Sequence, residues 1–178
     1  MAQGVFLDRD GVITKAYTKS GIPYPPYSVD EVEILTGVAE AIEIFRRSEI
    51  TVVVVTNQPD VARKKISVDE VMRINDYLNV QLGLENFYMC THDDLDNCDC
   101  RKPLPGLIMK ASKDLSIEIE KSHLVGDRWR DIDAGQAAGC NCFFIDYNYA
   151  ERRPKDPFTV VNSLLEASQI IAKEQNVF

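Results

Sequence analysis

The chain has 178 residues, of which 20 are Lys or Arg and 28 are Asp or Glu, so its formal net charge at pH 7 is −8. The length predicts a single domain over residues 1–178, and 45% hydrophobic with 27% charged residues exclude a disordered or collagen-like chain. The negative charge argues against nucleic acid as a partner, and no apolar run approaches the ~18 residues of a membrane helix.

Patterns typical of strands and of helices alternate along the whole chain. Strands are predicted at residues 5–7, 51–55, 87–89, 123–125 and 142–145. Helices are predicted at 37–47, between Ser67 and Gly83, from Pro105 through Leu115, at 131–138 and at 160–174. Residues 14–27, with three prolines and a glycine, form the main irregular segment. This alternation predicts a doubly wound α/β fold, a three-layer sandwich around a mainly parallel sheet of about five strands.

Polar residues follow the first two of these strands, at the sheet edge where such folds bind ligands. Asp8 and Asp10 form a carboxylate pair that can supply a nucleophile and a general acid for phosphoryl transfer beside a hard cation such as Mg²⁺. Thr56 and Asn57 offer a hydroxyl and an amide to phosphate oxygens. Taken singly, the first pair is also typical of a solvated turn and the second of a loop start or helix cap.

Two further polar clusters lie later in the chain. Arg101 and Lys102 can stabilise a transferring phosphoryl group and grip a second anion, although alone they also fit a basic loop tip. Asp127 follows the strand at 123–125 and suits a Mg²⁺ ligand, with Asp131 one helical turn further on. Alone, these two acids also fit the ordinary preference of helix N-termini for negative charge.

The order Asp-x-Asp, Thr-Asn, Lys and Gly-Asp-x-x-x-Asp, between Val5 and Gly139, resembles the four motifs of the haloacid dehalogenase superfamily. The resemblance implies a phosphatase that works through an aspartyl-phosphate, with Asp8 as nucleophile and Asp10 as general acid/base. It further implies that Thr56 and Lys102 stabilise the phosphoryl group. The Mg²⁺ ligands would be Asp8, Asp10 through its backbone carbonyl, and Asp127, with Asp131 as a further candidate.

A loop at residues 90–100 combines three thiols and an imidazole, which are Cys90, His92, Cys98 and Cys100. This set predicts a closed, structural Zn²⁺ site, and the alternative is a redox-active or incidental cluster. Cys140 and Cys142 lie in a predicted buried strand and are expected to be core thiols. Cysteine usage of this kind is typical of a reducing compartment, so we expect a cytoplasmic protein.

The 90–100 loop runs directly into Arg101-Lys102-Pro103, which resembles the histidinol-phosphatase-related branch of the same superfamily. That resemblance implies a phosphorylated sugar as the small-molecule substrate, with removal of the 7-phosphate of D-glycero-D-manno-heptose 1,7-bisphosphate. A second phosphate needs further cations, for which Arg63, Arg101 and Arg128 are the candidates, and Asn57 is a further candidate for binding the substrate. Histidinol phosphate is the alternative substrate, and a phosphate-binding domain without catalysis is the alternative function.

The spacing of the motifs leaves no room for a cap domain over the site. The segment between Gly11 and Gly37 is too short for a domain, and residues 58–101 are accounted for by one helix, one strand and the cysteine loop. We therefore expect an open site walled by loops. The small size and the lack of an apolar surface stripe predict a monomer.

Overall fold

The computed structural model describes residues 2–175, and within them eight strands and five α-helices. The strands are β1 (Gly4–Leu7), β2 (Tyr17–Lys19), β3 (Ile22–Tyr24), β4 (Thr51–Asn57), β5 (Phe87–Cys90), β6 (His123–Gly126), β7 (Asn141–Ile145) and β8 (Thr159–Val161). The helices are α1 (Val38–Arg47), α2 (Val68–Leu82), α3 (Gly106–Leu115), α4 (Trp129–Ala138) and α5 (Leu164–Gln175). None of these helices combines the length and the apolar character needed to cross a membrane.

Six strands form one sheet in the order β5-β4-β1-β6-β7-β8, and every neighbouring pair is parallel. Alternate side chains of β1 face opposite layers, so Val5 and Leu7 pack with α1, α2 and α5 while Phe6 packs with α3 and α4. All three side chains are fully buried, as expected for a strand covered on both faces. The predicted doubly wound, three-layer α/β fold is therefore confirmed.

The fold differs from the predicted elements at two places. The segment 14–27 contains the antiparallel hairpin β2–β3, which turns at Ser20 and Gly21 with positive φ at both residues, the geometry of a tight hairpin turn. Val160, predicted to begin the last helix, lies instead in β8, so the sheet has a sixth strand and α5 begins at Leu164. Three β-branched residues paired only with β7 give β8 too little periodicity to distinguish it from a helix start.

This topology determines where the site forms. β1 lies between β4 and β6, so the carboxyl ends of three parallel strands meet side by side near the middle of the sheet. The residues that follow these ends are Asp8, Gln58 and Asp127. The hairpin β2–β3 is inserted between β1 and α1, on the same side of the sheet as this edge, where it lines the cleft described below.

At the start of β6, a buried histidine provides a test of the core. His123 is 2% exposed, Gln3 Nε2 lies 3.0 Å from its Nε2, and within residues 2–175 nothing bonds to its Nδ1. Burial lowers the pKa of His123 from 6.5 to about 4, so protonation favours the unfolded chain. Its contribution to stability is present above pH 6.5 and is lost as pH falls towards 4.

We expect the free energy of unfolding to fall between pH 6.5 and pH 4 by up to about 3 kcal/mol more in the wild-type chain than in His123→Gln. The glutamine is neutral over this range and can still bond to Gln3. Urea unfolding at both pH values measures the difference. Equal losses in the two proteins would show that His123 titrates normally in the folded state.

Candidate active site

A buried ammonium group lies at the centre of the candidate site. Lys102 Nζ is 2.7 Å from Asp8 Oδ1 and 2.6 Å from Asp131 Oδ1, and it donates to the carbonyl of Val55 at 2.8 Å. Its side chain is only 2% exposed. Burial opposes the charged form of this amine, but the two carboxylates outweigh that effect and raise the pKa of Lys102. The lysine is therefore held as a cation that joins the end of β1 to the start of α4.

The carboxylates around Lys102 outnumber it. Asp8, Asp127 and Asp131 are all buried, and one oxygen of each lies within 4.8 Å of the others. Burial and the neighbouring charge of Asp131 raise the pKa of Asp8 to about 7, despite the opposing effect of Lys102. Burial and the charges of Asp8 and Asp131 likewise raise the pKa of Asp127. Such an excess of buried negative charge fits the binding of a divalent cation.

Asp127 supplies the clearest sign of a cation position. Its side chain is 1% exposed, and its Oδ2 accepts a hydrogen bond from the Tyr149 hydroxyl at 2.9 Å. Within residues 2–175, however, no group donates to its buried Oδ1, and an unpaired buried carboxylate oxygen is costly. Gly11 makes this arrangement possible, because a Cβ there would lie 1.9 Å from Asp127 Oδ2 and its φ is +104°.

Asp10 lies beside this cluster and is held by a network that the sequence analysis missed. Its carboxylate accepts two bonds from Arg9 at 3.0 Å, one from Thr14 at 2.9 Å and one from Gln58 at 2.8 Å. Arg9 is fully buried, and its Nη1 donates to Asn75 Oδ1 of α2 at 2.9 Å. The one sequence signal for this network was Asn75, a polar residue on the apolar face of α2.

The residues at the end of β4 have different surroundings. Thr56 is 1% exposed, and its hydroxyl oxygen accepts a hydrogen bond from Gln58 Nε2 at 2.9 Å. Asn57 lines the cleft, but its amide bonds both to the carbonyl of Lys102 at 2.9 Å and to its backbone N–H at 3.0 Å. Asn57 thus fixes the loop that carries Lys102, and its predicted contact with substrate stays a prediction.

A cleft of about 230 Å³ opens above the carboxylates, and the three arginines predicted to bind substrate line it from three different loops. Each arginine forms an ion pair with an acid that the sequence analysis had not assigned to it. The pairs are Arg63 with Asp93 at 2.7 Å, Arg101 with Asp94 at 2.8 Å, and Arg128 with Glu151 at 3.0 Å. These pairs fix the direction of each guanidinium and still leave donors for an anion.

The opposite wall of the cleft comes from the hairpin, which lies in the segment predicted to be irregular. Tyr24 stacks between Tyr17 and Tyr27, with ring centroids 5.8 and 6.3 Å apart. The Tyr27 hydroxyl donates to Asp60 Oδ2 at 2.7 Å, which joins the hairpin to the loop that carries Arg63. One wall is therefore largely apolar and the other cationic, which suits a ligand with anionic groups on a carbon framework.

The four predicted soft ligands converge near the same cleft. Cys90 Sγ lies 3.7 Å from Cys98 Sγ and 3.5 Å from His92 Nδ1, which is 3.4 Å from Cys100 Sγ. A tetrahedral ion with bonds of about 2.3 Å would separate its ligands by about 3.8 Å, so this set has the dimensions of a closed metal site. The other two cysteines, Cys140 and Cys142, are buried in the core as expected.

Comparisons with known proteins agree with this geometry. Residues 99–167 match the family model described as HAD-hydrolase-like. The chain is 31% identical over 151 residues to D-glycero-beta-D-manno-heptose-1,7-bisphosphate 7-phosphatase of Pasteurella multocida (strain Pm70), a match that covers 78% of either protein. Identity to the protein of the same name from Escherichia coli (strain K12) is 29% over 186 residues, covering 96% of this chain and 94% of that protein.

A solved structure is similar over almost the whole chain. The D,D-heptose 1,7-bisphosphate phosphatase from B. bronchiseptica, complexed with magnesium and phosphate, superposes with a TM-score of 0.83 at 27% identity. The superposition covers 97% of this chain and 99% of that one. The likeness therefore includes the loops that carry the site as well as the sheet.

We expect Lys102→Met to lower the free energy of unfolding at pH 8 by about 3 kcal/mol, because Asp8 and Asp131 lose their buried counter-charge. Lys110→Met is the matched control, since Lys110 also lies 2.7 Å from a carboxylate, that of Asp114, but on the exposed surface of α3. Loss of an exposed pair changes stability far less, because water screens its charges. Urea unfolding of both variants measures the contrast, and equal losses would contradict a structural role for the buried ammonium.

Proposed function

Because this chain belongs to the haloacid dehalogenase-like hydrolases, we propose that it is a magnesium-dependent phosphatase that cleaves a phosphate ester through an aspartyl-phosphate. One observation carries the proposal. Asp8 and Asp127 are buried together beside the Lys102 ammonium, and Asp127 keeps one oxygen without a donor in the described part of the chain. A solvated turn, the alternative for the first carboxylate pair, would not bury Asp8 in this way, whereas Asp131 is buried and also caps α4 by accepting the backbone N–H of Arg128 at 3.0 Å.

In the first step, a carboxylate oxygen of Asp8 attacks phosphorus, so that an Asp8–phosphorus bond forms and the bond to the ester oxygen breaks. Lys102 stabilises the charge that the phosphoryl oxygens gain, and we expect the Thr56 hydroxyl to donate to them. The departing oxygen takes a proton from Asp10. In the second step Asp10 takes a proton from water, which attacks phosphorus and releases inorganic phosphate and free Asp8.

The hydrogen bonds of Asp10 are compatible with this exchange of protons. All four of its bonds come from donors, so one must give way before the carboxylate can carry a proton. The Thr14 hydroxyl already has a second acceptor, the carbonyl of Arg9 at 3.3 Å. Rotation of that hydroxyl towards Arg9 frees one position on Asp10 Oδ1 without moving any other side chain.

The residues at this edge fit Mg²⁺, and the structure similar to this one was solved with magnesium and phosphate. The ion would be held by Asp8, the backbone carbonyl of Asp10 and Asp127, with Asp131 as the further candidate. When bound, it would offset the repulsion between a phosphate dianion and the carboxylates. The buried Oδ1 of Asp127 is the observation that supports this fit.

We propose that the substrate is a phosphorylated sugar, namely D-glycero-D-manno-heptose 1,7-bisphosphate, from which the 7-phosphate is removed. Relatives at about 30% identity are named for that activity. The arrangement of Arg63, Arg101 and Arg128 around the cleft supports a second anionic group on the substrate. Histidinol phosphate would need free acids for its cationic end, whereas Asp93 and Asp94 are already paired with arginines.

Two further expectations accompany this assignment. The described cysteines are all free thiols, which supports a reducing compartment, and we propose the cytoplasm. We also propose a monomeric, single-domain enzyme without a cap domain. In the described residues the cleft opens between the hairpin and the loop that carries Arg101, which supports an open site.

We propose that Cys90, His92, Cys98 and Cys100 hold a structural Zn²⁺. Their separations of 3.4 to 3.7 Å support a tetrahedral ion, and four protein ligands leave no position for substrate. Asp93 and Asp94, which directly follow His92, are the partners of Arg63 and Arg101. Zinc would therefore fix the acids that orient two of the substrate-facing arginines.

We expect Asp8→Asn to abolish phosphate release from D-glycero-D-manno-heptose 1,7-bisphosphate in the presence of Mg²⁺, because an amide oxygen is too weak a nucleophile to form the phosphoenzyme. Asp114→Asn, at an exposed carboxylate on α3, is the matched control and should keep full activity. Phosphate release is compared for this substrate and histidinol phosphate with each protein.

Each outcome of that comparison bears on a different part of the proposal. Activity retained in Asp8→Asn would refute the nucleophile. A wild-type preference for histidinol phosphate would keep the chemistry and overturn the sugar bisphosphate. Turnover of neither substrate would support a phosphate-binding domain without catalysis.

We expect Cys98→Ser to lower the zinc content and to reduce kcat/KM for the sugar bisphosphate by about 10-fold, chiefly through KM, because the arginine partners lose their support. The Mg²⁺ dissociation constant should not change. Cys140→Ser, outside the loop, controls for loss of a thiol and should keep its zinc. Metal analysis and steady-state kinetics measure these effects, and full activity in a folded, zinc-free protein would contradict the coupling.

A further inference from the structure

We propose that Tyr149 is a positioning residue that fixes which oxygen of Asp127 faces the catalytic cation and thereby raises the affinity for Mg²⁺. The inference rests on the proposed magnesium-dependent function and adds a residue outside its motifs. Tyr149 lies after β7, in a segment to which the sequence analysis gave no role.

The contact gives the two oxygens of the Asp127 carboxylate different roles. Oδ2 accepts the Tyr149 hydroxyl at 2.9 Å, while Oδ1 is buried with no donor from residues 2–175. A carboxylate held at one oxygen cannot rotate freely, so the other oxygen keeps its direction. That leaves Oδ1 as a single, oriented ligand for a cation, in the way that outer partners orient metal ligands elsewhere.

A second hydroxyl from the same segment bonds to the turn after β1. The Tyr147 hydroxyl donates to the carbonyl of Gly11 at 3.1 Å, and Gly11 directly follows Asp10. The rings of Tyr147 and Tyr149 lie side by side, with centroids 5.6 Å apart. The two tyrosines therefore hold Asp127 and the turn after β1 at a fixed distance from each other.

The segment that carries both tyrosines is itself well anchored. Asp146 accepts a hydrogen bond from the backbone N–H of Asn148 at 2.8 Å and pairs with Arg153 at 2.9 Å. Asn148 has a φ of +54°, a conformation that Asn tolerates better than most residues. These contacts stabilise the turn from which the Tyr149 hydroxyl is presented.

Tyr149 is suited to this part because it always donates. A phenol hydroxyl is a neutral donor at neutral pH. Its O–H donates to Asp127 Oδ2 without adding a positive charge that would compete with the cation. A lysine or an arginine at the same place would take the position of the metal.

The experiment is a calorimetric titration of Tyr149→Phe with Mg²⁺ alone, without substrate. We expect the Mg²⁺ dissociation constant to rise by about 10-fold or more, in line with the loss of other partners of metal ligands. Turnover at saturating Mg²⁺ should recover to near the wild-type value, because the catalytic residues are unchanged. Thermal unfolding of each protein confirms that the variant is folded.

Tyr88→Phe is the matched control, since Tyr88 also donates to a carboxylate, that of Asp114 at 3.3 Å, but on the exposed surface. It should leave the Mg²⁺ dissociation constant unchanged. Tyr147→Phe removes the bond to Gly11, and we expect a smaller rise than for Tyr149→Phe because the carbonyl of Gly11 is not one of the expected ligands.

An unchanged dissociation constant in Tyr149→Phe, or an equal rise in Tyr88→Phe, would overturn the positioning role. A wild-type chain that binds no Mg²⁺ would overturn both the role and the magnesium-dependent function. A third outcome separates the substrate from the metal site. If the wild-type chain binds Mg²⁺ and Tyr149→Phe binds it more weakly, but the heptose bisphosphate does not react, only the substrate assignment is refuted.

Discussion

The site depends on one buried ion cluster, the Lys102 ammonium between Asp8 and Asp131. Removing charges from water costs several kcal/mol for each, so the arrangement around the ammonium persists only where its own partners and hydrogen bonds are complete. Asn57 completes it by holding the backbone of Lys102 with two hydrogen bonds. The same contacts that stabilise the ammonium therefore place it beside Asp8, where a transferring phosphoryl group would need positive charge.

The Lys102 ammonium has all its partners, but the acids around it lack an equal positive charge. One ammonium faces three carboxylates, and burial together with the charges of the neighbouring acids raises the pKa values of Asp8 and Asp127. A divalent cation at Asp127 Oδ1 would restore the balance and return both carboxylates to their charged forms. The unfavourable repulsion among these acids thus lies at the place where a cation and a phosphate dianion would bind together.

Local sequence patterns were sufficient to predict the central sheet and most of the residues that meet at its carboxyl edge. Asp8, Thr56, Lys102 and Asp127 could be found because a parallel sheet brings the residues after successive strands to one edge. The bond between Arg9 and Asn75 could not, because its partners are 66 residues apart and only the packing of α2 brings them together. The acidic partners of Arg63 and Arg128 were missed for the same reason, since they lie 30 and 23 residues away.

The acids around the cleft explain how a protein with a net charge of −8 can bind an anionic ligand. Asp93, Asp94 and Glu151 each take one side of a guanidinium and turn its other donors towards the cleft. A free arginine must lose rotamer freedom when it binds, and an arginine already held by an acid has lost it beforehand. Ion pairing therefore lowers the local charge but also lowers the entropy cost of binding, so the site favours an anion of matching geometry over anions in general.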